Sequence, residues 1–121
     1  MTRRIVDHPD WGISTMVIRD GLAFIGHIGG HTRGGKKLYS IEEQTEETLR
    51  NLEACLEANG MSMKSVLQLN VALRRMRDFN KMHSVWARFF PEEFPARMTH
   101  SSDFVDRHCL IQVYGVAAAE K

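Results

Sequence analysis

Several things are scarce in this chain. Only two of its 121 residues are cysteine, Cys55 and Cys109, in neither paired nor clustered spacing. That excludes a disulfide framework and a cysteine-built zinc site, and it favours reduced thiols. No apolar run approaches the ~20 residues that a membrane-spanning helix needs. Arg3 and Arg4 are not followed by an apolar stretch of signal-peptide length. Neither sign of charge is in excess. Sixteen Lys and Arg against fifteen Asp and Glu leave a formal net charge of +1, so nothing general attracts DNA, RNA or an anionic membrane surface. The expectation is one cytoplasmic domain over residues 1–121, large enough to bury a core with no metal and no cofactor.

What is present has clear order. Residues 1–13 carry Pro9 and Trp11 without periodicity and read as an irregular N-terminal arm. Residues 14–18 and 22–28 are apolar runs around an Asp20-Gly21 step, a strong hairpin signal. Four glycines between residues 29 and 35 suggest a mobile loop. Ser40 and Glu43 form a capping box that opens a helix whose apolar face is Leu49, Leu52, Cys55 and Leu56, and Gly60 ends it. Residues 66–73 alternate as a strand with Leu67, Leu69, Val71 and Leu73 on the buried side. A second helix, 78–90, bears Phe79, Met82, Trp86, Phe89 and Phe90 and stops at Pro91. Strands follow at 98–101 and 109–117, the latter with Ile111 and Val113 on one face and Gln112, Tyr114 and Val116 on the other. The order β-β-α-β-α-β-β gives an α+β fold, a mixed sheet with two helices on one face. The other face then packs against copies of itself in a closed oligomer.

Three motif-like features carry little. Gly30-x-x-x-x-Gly35-Lys36 imitates a phosphate-binding loop, but Lys37 stands where a magnesium-binding hydroxyl belongs. His27 and His31 span a strand end and a glycine loop rather than one helix turn, so no metal site is expected. Arg74, Arg75 and Arg77 are basic but lack interleaved aromatics, which argues against an RNA-binding surface. Arg97 is different. Pro95 restricts the backbone just before it, so its planar fork is presented with little freedom to a carboxylate or phosphate.

Several segments together resemble the YjgF/YER057c/UK114 family, the Rid or endoribonuclease L-PSP proteins. The resemblance rests on residues 21–28, on Gln44-Thr45 with Leu49 and Asn51-Leu52, and on residues 56–60. It continues through residues 76–79, Trp86 with Phe89-Phe90, and Phe94-Pro95-Ala96-Arg97. It implies a chorismate-mutase-like fold, a homotrimer with pockets between subunits, and hydrolysis of reactive 2-imino acids to 2-oxo acids and ammonia. It makes Arg97 the residue that grips the substrate carboxylate. Gln112 stands where active members carry a water-activating glutamate, His83 where they carry asparagine, and Thr99 where they carry cysteine. The family's pocket serine is replaced by Ile25 or Gly26, and no tyrosine lies near Ile13.

The site expected on this basis has Gln112 and His83 in the chemistry, with Arg97, Thr99, Gly26, His27 and Tyr114 around the substrate. A glutamine can orient water but cannot carry its proton, which leaves His83 or His27 as the titratable group. The alternative is a non-catalytic trimer that binds 2-oxo acids. RNA cleavage, implied by the family label, is the weakest of the three readings.

Overall fold

The computed structural model describes residues 1–120. Among these, the strands are β1 (Thr2–Ile5), β2 (Met16–Arg19), β3 (Leu22–Ile28), β4 (Thr32–Arg33), β5 (Lys36–Lys37), β6 (Val66–Leu73), β7 (Thr99–Ser101) and β8 (Ile111–Ala118). The α-helices are α1 (Ile41–Glu57) and α2 (Phe79–Phe89). Six strands form one sheet in the order β1-β2-β3-β8-β6-β7, and β4 and β5 form a separate ribbon. Only β6 and β7 pair in parallel; the other neighbours are antiparallel. The sheet is mixed and the fold α+β, as the residue pattern implied.

Local chemistry accounts for most boundaries. Asp20 and Gly21 both take positive φ, 53° and 76°, which is the two-residue turn that matches the twist of β2 and β3. Ser40 Oγ accepts the Glu43 N–H at 3.1 Å and donates to Glu43 Oε1 at 3.0 Å. The Ser40 cap therefore forms, with the glutamate meeting the serine hydroxyl rather than its backbone. Gly60, at φ 76°, lets the Met61 N–H return to the Leu56 carbonyl and close α1.

Three expectations are corrected and one is met. Part of the N-terminal arm is regular: Thr2–Ile5 pairs with β2 as an edge strand. One sheet holds β3 and β6 parallel across the α1 crossover, as the helix between two strands implies, with β8 between them pairing with both. The glycine segment is less free than its composition suggests. Gly30 is buried so close to α1 that a Cβ would stand 2.6 Å from the Thr48 nitrogen, and Gly34-Gly35 forms the tip of the β4–β5 ribbon. Leu67 is 56% exposed because the ladder with β8 skips it, passing from Val66↔Ala117 to Gln68↔Val116. One bulged residue shifts the phase, so the inward set starts at Val66 and resumes at Leu69.

The core lies between the helices and one sheet face. Leu49, Leu52 and Leu56 of α1 and Met82 and Trp86 of α2 pack with Ile25, Leu69, Val71, Leu73, Ile111 and Val113. Opposite strand neighbours Phe24, Val116 and Gln68 share the other face, where Phe24 remains 50% exposed. The Gly115 pleat admits no side chain, since a Cβ there would collide with the Gln68 carbonyl.

Candidate functional site

Arg97 lies in the segment leading into edge strand β7. That segment is held by backbone bonds to β6 and by the buried Asn70 side chain, whose oxygen accepts the Met98 N–H at 2.9 Å. Successive residues alternate across the sheet. Ala96 aligns with Gln68 on the uncovered face, so Arg97 turns towards α2. There its guanidinium carbon sits 4.7 Å from the Trp86 ring centre and 5.5 Å from that of Phe79, with Nη1 3.2 Å from His83 Nδ1. Desolvation lowers the Arg97 pKa from its ordinary value. An arginine stays charged through such a shift. Among the described residues no carboxylate pairs with it. The surrounding concavity, about 640 Å³, is walled by Trp86, Phe90, Phe94 and Pro95.

Gln112, Tyr114, Gly26 and His27 line a different cleft, of about 860 Å³, at the open end of β3 and β8. Thr99 lines neither concavity; it aligns with Val71 on the covered side. Within one chain the expected site residues thus separate into two groups. Arg97 and His83 meet on the helix side of the sheet edge, while Gln112, Tyr114, Gly26 and His27 share the cleft. Gly26 is required by its surroundings, because a Cβ would come 2.9 Å from the Ser14 carbonyl oxygen. At the cleft mouth the His8 ring stacks on Trp11 at 5.3 Å and faces His27 at 6.5 Å. Burial lowers the His27 pKa, helped by the nearby His8 and opposed by Asp7. This environment favours the neutral imidazole of His27.

Two polar clamps shape the cleft wall formed by residues 102–110. Arg74 donates to the carbonyls of Cys109 at 2.9 Å and Asp106 at 2.8 Å, and its guanidinium lies over the Phe104 ring. Buried Gln44 donates to the carbonyls of Leu38 and His108 and accepts the Leu110 N–H. Asp106 in turn meets His31 at 3.1 Å. The His108 backbone N–H, with lesser help from His31, His108 and Lys37, lowers the Asp106 pKa. Arg74 is thus occupied inside the fold, whereas Arg75 and Arg77 remain exposed. The basic cluster is not a single surface patch.

Sequence reasoning missed His100, which lines the cleft and places Nε2 2.7 Å from the Tyr114 hydroxyl. Its one available signal was position. Residues 97 and 100 fall on opposite faces of an extended segment, so a histidine there belongs with the cleft rather than with Arg97.

The endoribonuclease L-PSP family model matches residues 12–119. The chain belongs to that family, which includes the YjgF proteins. A RutC family protein of Pyrococcus horikoshii is 38% identical over 80 residues, covering 66% of this chain and 64% of that protein. The human 2-iminobutanoate/2-iminopropanoate deaminase is 26% identical over 106 residues, 86% of this chain and 77% of the human one. Among solved structures, a YjgF family member from Neisseria meningitidis superposes with TM-score 0.87 at 21% identity, covering 100% of this chain and 97% of that one. A YjgF/YER057c/UK114 member from Mycobacterium tuberculosis gives TM-score 0.87 at 16% identity over 98% of this chain and 100% of its own. These two likenesses establish the YjgF fold.

Proposed function

We propose that this family member hydrolyses small 2-imino acids to 2-oxo acids and ammonia in the cytoplasm as a homotrimer, with Arg97 holding the substrate carboxylate. The observation that carries the proposal is the state of Arg97. It is a partly desolvated guanidinium flanked by aromatic faces, with no acidic partner among the described residues. A charge held this way gains from an incoming carboxylate, which it can meet with two parallel hydrogen bonds. The similarity to the human deaminase agrees in substrate class.

Arg97 and Gln112 lie on opposite faces of one chain, so this reading needs a neighbouring copy to bring its Arg97 edge to the cleft. The uncovered face offers Phe24 and Leu22, 50% and 39% exposed, as apolar contact area for such a copy. Gln112 would orient the attacking water. Because glutamine cannot take that water's proton, Gln112 also favours a second reading, a trimer that binds 2-oxo acids without turnover.

The test is ammonia release from freshly generated short-chain imino acids, measured over the spontaneous rate. Acceleration is expected for the native protein and should be lost in Arg97→Ala. If the Arg97→Ala and Gln112→Ala variants are each inactive, refolding them together should restore activity at about a quarter of the sites in randomly mixed closed rings. An undiminished Arg97→Ala variant rules out the anchor. Saturable 2-oxobutanoate binding without any ammonia release selects the second reading.

A further inference from the structure

The imidazole of His100 has two contacts: Nε2 lies 2.7 Å from the Tyr114 hydroxyl and Nδ1 lies 3.2 Å from the Ser101 carbonyl oxygen. A carbonyl only accepts hydrogen bonds. The neutral tautomer protonated on Nδ1 therefore satisfies both contacts, donating to Ser101 and accepting the Tyr114 proton at Nε2. The opposite tautomer would set the Nδ1 lone pair against the carbonyl oxygen.

Sheet register places this pair beside Gln112. Ala72 of β6 aligns with His100 on one side and with Gln112 on the other, so the three residues form one row across the sheet. The middle member is the small one, leaving a shallow floor between an imidazole and an amide. Tyr114 is the next residue along β8 on that same face, about 7 Å from Gln112 at the usual strand rise. His100, Gln112 and Tyr114 all line the cleft. The other titratable groups lining it are His8 and His27 at the mouth, His31, Asp103 and Asp106 on the far wall, and the buried thiol of Cys109, whose pKa burial pushes up.

We infer that Tyr114 and His100 form a proton relay that supplies the base Gln112 cannot be. Tyr114 is the catalytic residue that touches the reacting water, and His100 acts through it. This rests on the imine-hydrolysis reading above. Water, oriented by the Gln112 amide, adds through oxygen to C2 of the protonated imine while the C=N electron pair moves to nitrogen. The water's proton passes to Tyr114 Oη as the tyrosine's own proton passes to His100 Nε2. That proton then returns through Tyr114 to the nitrogen of the tetrahedral adduct. The C–N bond breaks with its electron pair leaving on ammonia, the hydroxyl oxygen forms the C=O bond, and its proton leaves on ammonia as ammonium. Iminium plus water becomes 2-oxo acid plus ammonium, with neither oxidant nor reductant required.

The experiment compares pH–rate profiles of ammonia release for the native protein, Tyr114→Phe and His100→Gln, alongside 15N spectra of the histidine side chains. Loss of a positioned acid–base group lowers kcat by about 100-fold or more. That loss is expected in Tyr114→Phe with KM little changed. His100→Gln should lose the fall in rate on the acidic side, where a protonated imidazole can no longer accept a proton. The spectra should show His100 protonated on Nδ1. Native kcat and an unaltered pH profile in both variants, or a His100 proton on Nε2, would overturn the relay while leaving the deaminase reading intact. Absence of acceleration by the native protein itself overturns both.

Discussion

Neighbouring residues of β8 serve two different environments. Ile111, Val113 and Ala117 enter the dry side beneath the helices, while Gln112, Tyr114 and Val116 stay half-buried on the open side. The core beneath the helices is almost wholly apolar, and on α1 the buried hydroxyls of Thr45 and Thr48 have no hydrogen-bond partner among the described residues. The open face and its cleft carry His8, His27, His31, His100, Gln112 and Tyr114. A strand's two-residue period lets one segment hold the fold together with alternate side chains and present chemistry with those between. Substitutions should therefore divide into two classes by parity.

The largest effect expected is on the covered side. Leu52 is fully buried in α1, and Leu52→Ala should cost about 2–5 kcal/mol in urea unfolding. Gln112→Ala on the open side should change stability far less. Equal losses from the two would break the division.

An intermediate effect is expected at Arg74, which belongs to neither face but ties the cleft wall to the end of β6. Arg74→Ala frees carbonyls of Asp106 and Cys109, which should cost about 1–3 kcal/mol. Hydrogen exchange should accelerate within residues 102–110 and leave α1 unchanged. Uniform acceleration would mean that the wall is not an independent unit.

The smallest effect is one of pH. The folded state holds the His27 pKa below its ordinary 6.5, chiefly by burial, so the unfolded chain binds a proton there more readily. Stability from this residue is present above pH 6.5 and declines as pH falls through the lowered folded value. Thermal melts of His27→Gln should show a flatter slope across that interval than the native protein does. An unchanged slope would place the titration elsewhere in the cleft.

The fold was legible because its signals were local. The Asp20-Gly21 turn, the Ser40 cap and the Gly60 stop each specify a boundary through the backbone conformation of a few residues. Pro95 and the family motif singled out Arg97, and the structure sets it between Trp86 and Phe79 beside His83; its carboxylate-holding role is the proposal above. Order within the sheet was not legible. Placing β8 between β3 and β6 depends on contacts between residues far apart in the chain, which no short window contains. Leu67 misled because the alternation of residues 66–73 reads the same with or without a bulge. The pairing of His100 with Tyr114 was invisible for the same reason, since the two residues lie on β7 and β8, with β6 between those strands. Gln44 stood out only as part of a resemblance, yet its buried amide spans α1 and the segment leading into β8.

The β4–β5 ribbon has a practical use. Its stem is tethered by Arg33 to Glu47 at 2.8 Å, while Gly34 and Gly35 at the tip have positive φ and open space where a Cβ would lie. A flexible epitope or fluorophore spliced between those glycines would ride on the exterior beyond the tether, giving a handle for immobilisation or distance measurement that leaves both strand parities untouched.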